Sequence, residues 1–109
     1  MADPRARVRL SATRISPGEV IEVRALVTHP METGNRTGPD GTTVPRNIVE
    51  SFRATFDGAE VFAADLDTAV SANPYFQFHV APPRSGTLTL TWRDDAGAEV
   101  QEDAAITVT

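Results

Sequence analysis

Apolar and polar residues alternate with a period of two along most of this chain, and no long stretch repeats apolar residues at helical spacing, so the pattern predicts an all-β fold. Val8 and Leu10 alternate with Arg7, Arg9 and Ser11 as a short first strand, which stops at the turn signal Ser16-Pro17-Gly18. From Val20 to Val27 the phase Ile21, Val23, Ala25, Val27 suits a core, while Glu22 and Arg24 face water and Leu26 is the outward apolar residue. Ile48, Phe52 and Phe56 share a face of the next strand, where Glu50 must reach a rim or a partner. Asp57-Gly58 marks a two-residue hairpin turn into Val61 to Leu66. Phe76, Phe78 and Val80 alternate with Gln77 and His79 before Pro82-Pro83 ends the strand. Leu88, Leu90 and Trp92 alternate with threonines, Asp94-Asp95-Ala96-Gly97 turns the chain, and Val100, Ala104, Ile106 and Val108 keep one phase of a last strand. About seven short strands with turn signals between them predict an immunoglobulin-like antiparallel β-sandwich.

One connection stands out. Thr28 to Arg46 contains Gly34, Gly38, Pro39, Gly41 and Pro45 and is longer than most loops of a compact domain. Asp40-Gly41 suits a tight reversal, so the segment is expected to be a long hairpin-like loop extending the second and third strands. The 109 residues fit one domain, residues 1–109, without an internal repeat or linker, and suffice for a hydrophobic core without metals or disulfides.

Charge and composition then exclude functions. The net charge of -5, from 15 acidic and 10 basic residues, argues against nucleic acid as a partner. No cysteine is present, which removes disulfides, thiolate metal sites and thiol nucleophiles. Met1 to Ile15 lacks the apolar stretch of a secretory signal, so this chain by itself reads as cytoplasmic and not membrane-bound. No Gly-x-Ser-x-Gly turn is present, and Asp94-Asp95 reads as a turn former, as do Asp65 and Asp67. Gly34, Gly38 and Gly41 precede no helix, so nucleotide binding lacks support. The metal-ligand set is thin: His29, Met31 and His79, with Glu32 as an added donor, define an alternative reading as a solitary periplasmic copper-binding β-sandwich. The preferred expectation is no metal and no cofactor, and a chain that binds a protein partner and is not an enzyme.

Turn formation explains the glycines and prolines of the loops but not the whole set His29-Pro30-Met31-Glu32-Thr33-Gly34, Arg36 and Val44-Pro45-Arg46. For the two arginines the plain structural account is pairing with Glu32 or Glu50. These blocks, with Asn35 and Asn47-Ile48, the stretch Ala69 to Phe76, and Thr91 to Gly97, resemble the SoxZ family in order and spacing. The resemblance implies an immunoglobulin-like subunit that pairs with SoxY, whose flexible arm bears the cysteine that carries sulfur intermediates between enzymes of thiosulfate oxidation. It further implies transient docking to those Sox enzymes and periplasmic residence, with export in complex with a partner that holds the signal. The expected partner-binding residues are His29, Met31, Glu32, Arg36, Arg46, Asn73 and Tyr75, with Leu26 beside Tyr75 as apolar contact and the two arginines near anionic cargo.

Overall fold

A computed structural model describes residues 5–70 and 72–109; Ser71, part of the expected Ser71 to Tyr75 surface, lies outside them. The strands are β1 (Arg5–Leu10), β2 (Arg14–Ile15), β3 (Ile21–Thr28), β4 (Val49–Phe56), β5 (Ala59–Asp65), β6 (Tyr75–Val80), β7 (Gly86–Asp94) and β8 (Glu99–Val108). They form a three-stranded sheet in the order β1-β3-β6 and a five-stranded sheet in the order β2-β8-β7-β4-β5. All pairings are antiparallel except that of β2 with β8. This is the expected all-β, immunoglobulin-like sandwich, with one strand more than the sequence pattern predicts.

The core follows the period-two phase of each strand. Ile21, Val23, Ala25 and Val27 of β3 are wholly buried and face Phe52 and Ala54 of β4 and Leu88, Leu90 and Trp92 of β7 across the sandwich. Phe52 anchors the centre: its ring stacks on Phe76 at 4.5 Å and meets Trp92 at 5.0 Å, while Phe62 stacks on Phe78 at 4.5 Å. These aromatic pairs tie β6 of the smaller sheet to β4 and β5 of the larger one.

Two local irregularities depart from simple alternation. Pairing of β4 with β7 shifts register between Val49 and Ser51, so Ile48 and Val49, consecutive in sequence, are both buried. The bulge turns Glu50 outward, within 3.8 Å of Arg93, which resolves the acidic residue that strict alternation puts on the core face. At the other end of β4, Asp57 (φ 48°) and Gly58 (φ 86°) both take positive φ, the two-residue turn that matches strand twist in a hairpin. The extra strand, β2, is two residues long and exists because buried Ile15 pairs with Val108.

Candidate functional site

The long connection leaves β3 in the small sheet and enters β4 in the large one, so it spans one end of the sandwich instead of extending a strand pair. It is hairpin-like nonetheless. Glu32 and Asn47 exchange both backbone hydrogen bonds, at 2.8 and 2.9 Å, and Thr37 bridges Thr43 nearer the tip. Gly34 (φ 87°) lets the limbs touch, since a Cβ there would sit 3.2 Å from the Cβ of Arg46. At the reversal the Asp40 carboxylate accepts from the backbone N–H and the hydroxyl of Thr42, and these bonds hold its pKa below the ordinary value.

The base of the hairpin is fastened from inside. His29 is buried just past β3; its Nδ1 accepts from the Met31 N–H at 3.0 Å, which assigns the imidazole proton to Nε2 when the ring is neutral. Met31, also buried and at φ 52°, accepts the Val49 N–H on its sulfur at 3.2 Å. Asn73, at φ 55°, closes the same end: its Oδ1 accepts from the His29 N–H at 2.9 Å, and its own N–H donates to the His29 carbonyl at 2.8 Å. The turn between β7 and β8 completes the clamp. Asp94, buried, accepts the N–H groups of Ala96 and Ala98 at 3.0 and 2.8 Å on one oxygen. Asp95 reaches across to accept from Arg46 Nε at 3.0 Å and from Asn47 Nδ2 and the Ile48 N–H at 3.1 Å each.

On the outside, Arg36 grips Glu32 with two bonds of 2.7 and 3.1 Å. This pairing lowers the pKa of Glu32 and raises that of Arg36. Arg46 pairs with Asp95, not with Glu50, and the side chains of Arg36 and Arg46 both remain more than half exposed. Between the hairpin base and the β7–β8 turn runs an open groove of about 590 Å³, lined by Pro30, Glu32, Val44, Pro45, Arg46, Asn47 and the turn residues Asp94, Ala96 and Ala98.

The fold thus gathers His29, Met31, Glu32, Arg36, Arg46 and Asn73 at one end of the sandwich, in two layers. His29 and Met31 lie inside as fasteners; Glu32, Arg36 and Arg46 offer surface. Tyr75 is 53% exposed and sits on the outer face of the small sheet, directly opposite Leu26 in register. The copper donors do not converge. His79 pairs with Glu22 in register near the far end of β3 from His29, and a rise of about 3.3 Å per residue over that length separates the histidines by roughly 20 Å. The described residues hold no group of three or more His, Cys, Asp and Glu side chains able to ligate a metal. Asp95 is the clamp residue that sequence reasoning took only as a turn former; its signal is the arginine and asparagine at 46 and 47, visible only once the turn is placed beside them.

Comparisons with known proteins fit this picture. Two variants of the superoxide reductase (neelaredoxin) from Ignicoccus hospitalis superpose with a TM-score of 0.71 at 14% identity, over 97% of this chain and 79% of theirs. A CARDB domain from Pyrococcus furiosus matches over 100% of both chains with a TM-score of 0.50 at 10% identity. At such identities the likeness is one of fold alone. A comparison with curated protein sequences finds no match. The family model described as "Sulphur oxidation protein SoxZ" matches residues 8–105, nearly the full length, and the chain therefore belongs to the SoxZ family of the Sox sulfur-oxidation system.

Proposed function

We propose that this chain is the non-catalytic, thiol-free subunit of a heterodimeric sulfur carrier, which binds a SoxY-like chain and presents that chain's cysteine-bearing arm to Sox enzymes. The observation that carries the reading is a SoxZ match over residues 8–105 in a sequence with no cysteine. A carrier subunit without a thiol leaves the covalent cargo to its partner. Glu32, Arg36, Arg46 and Tyr75 supply the exposed contacts in this reading, while His29, Met31 and Asn73 act from within by holding the loop that displays them. Export to the periplasm in complex with the partner belongs to the same reading. Co-expression with the SoxY-like subunit, followed by size-exclusion chromatography with light scattering, is expected to give one co-eluting species of one-to-one mass. Two separately eluting monomers contradict the proposal.

A further inference from the structure

The outer face of the β1-β3-β6 sheet carries a charge pattern opposite to that of the chain as a whole. Arg7 lies opposite Leu26, which lies opposite Tyr75; in the next row Arg9 lies opposite Arg24, and Arg24 opposite Gln77. Arg7, Arg9 and Arg24 are exposed and, with Leu26 and Tyr75, line a shallow depression of about 310 Å³. The carboxylate of this face is Glu22, which is engaged by Arg24 and lies 3.8 Å from His79. Among the described residues, neither Arg7 nor Arg9 enters any ion pair. A chain of net charge -5 thus sets three arginines against one carboxylate on this face.

This arrangement works against folding. Like charges directly opposite on neighbouring strands repel at a Cβ separation of roughly 5 Å. The pair Arg9 and Arg24 is placed that way, and Glu22 offsets only the Arg24 member. Local conflicts of this kind are expected where a surface serves binding. Tyrosine and arginine are also the residue types enriched in protein interfaces, where a rigid ring supplies area and the guanidinium supplies bidentate carboxylate contacts. Glu22 in the same face makes a uniformly anionic surface, such as a lipid layer, a poorer match than a partner of mixed and patterned charge.

We infer that this face docks a carboxylate-bearing surface of the SoxY-like subunit, with Leu26 and Tyr75 as the apolar centre and Arg7, Arg9 and Arg24 paired to the partner's acidic residues. The inference rests on the carrier reading above and adds to it a face and a chemistry for the SoxY-like subunit, which leaves Glu32, Arg36 and Arg46 at the hairpin end to the cargo arm and the docking enzymes.

The test is sedimentation velocity of the full chain titrated with its cognate SoxY-like subunit at 50 and 500 mM salt, between which the Debye length shortens from roughly 14 to roughly 4 Å and exposed charges become screened. Exposed pairs contribute modestly, so the double variant Arg7→Glu/Arg9→Glu should bind about tenfold more weakly at low salt, and the gap should narrow at high salt. Arg7→Lys/Arg9→Lys keeps the charge and should bind within about threefold of wild type. Arg7→Gln/Arg9→Gln, expected to lose about threefold, serves if circular dichroism finds the reversed variant unfolded. Binding by the Glu and Gln variants that equals wild type at low salt overturns the inference while leaving the carrier reading standing. Equal loss in the Lys and Glu variants overturns it as well, because charge would then not be the determinant. A wild-type chain that fails to associate at all overturns the carrier reading and this inference together. Cosedimentation with anionic phosphatidylglycerol vesicles that the Glu variant abolishes, with partner binding unchanged, assigns the face to a membrane and likewise overturns it.

Discussion

Replacing Asp95 by alanine should loosen the hairpin base from the β7–β8 turn, and the cost follows from its three acceptor contacts. The carboxylate accepts from Arg46, Asn47 and the backbone of Ile48. Ile48 is fully buried, so leaving its N–H unpaired costs about 1–3 kcal/mol. The Asn47 amide loses a further bond of about 1 kcal/mol. Arg46 is more than half exposed and contributes little, because water replaces its partner. The sum is about 2–4 kcal/mol; with a urea m-value of roughly 2 kcal/mol/M the unfolding midpoint should fall by about 1–2 M. Asp95→Asn keeps an acceptor for the Ile48 N–H and should recover about half of the loss. Arg46→Ala should cost less than about 1 kcal/mol. Urea melts followed by tryptophan fluorescence read all three, since Trp92 is buried beside this end of the core. An Asp95→Ala midpoint within about 0.2 M of wild type refutes the clamp. So does an Asn variant as damaged as the Ala variant.

Four further outcomes follow from the same structure. Phe52→Ala, at a fully buried ring that meets Phe62, Phe76, Phe78 and Trp92, should cost about 3–5 kcal/mol in a urea melt, and a loss under 2 kcal/mol would contradict its central place. Gly86→Ala would drive a Cβ into the Asp57 carboxylate, which accepts the Thr87 N–H at 2.8 Å, and should destabilise by about 1–3 kcal/mol; a neutral result shows that the Asp57 turn yields without penalty. The Glu32 pKa lies below its ordinary value of 4.5 because Arg36 binds the charged form, so the pair's stabilisation is complete above the unfolded pKa and lost as pH falls through the folded one. Wild type and Glu32→Gln should therefore converge in stability under acid, and a difference independent of pH excludes the linkage. Asn73→Gly keeps the positive φ and loses the side-chain bond to His29, whereas Asn73→Ala loses both, so Ala should be the worse by about 1 kcal/mol in thermal melts.

The parts of this fold that were legible in sequence are those set by local periodicity. β3 and β7 were readable because their buried residues alternate without interruption, and the Asp57-Gly58 turn because two positive φ values in succession favour that dipeptide. What escaped the pattern is non-local. β2 is too short to show a period and is held by parallel pairing with β8, near the other end of the chain. The bulge at Val49 shifts the phase of β4, so an account based on strict alternation leaves Glu50 facing the core. Its glycines and prolines predict the hairpin, but not that its flanking strands belong to different sheets. At the site, most of the residues that the resemblance marks come together at one end of the sandwich, with Tyr75 on the outer face of the small sheet. The resemblance did not separate the buried His29 and Met31 from exposed Arg36 and Arg46, because burial at a loop base depends on what packs over it. The arginines of β1 read simply as the polar side of a strand; only the register that sets Arg9 beside Arg24 makes them a surface.

The carrier account is tested most directly by thiosulfate turnover in a reconstituted Sox system, with the SoxY-like subunit held constant and this chain added in increasing amounts. Turnover should be lost without this chain, rise in proportion to it, and level off at one equivalent per SoxY-like subunit. Full turnover by the SoxY-like subunit alone, or a rise with no break at equivalence, would contradict the account.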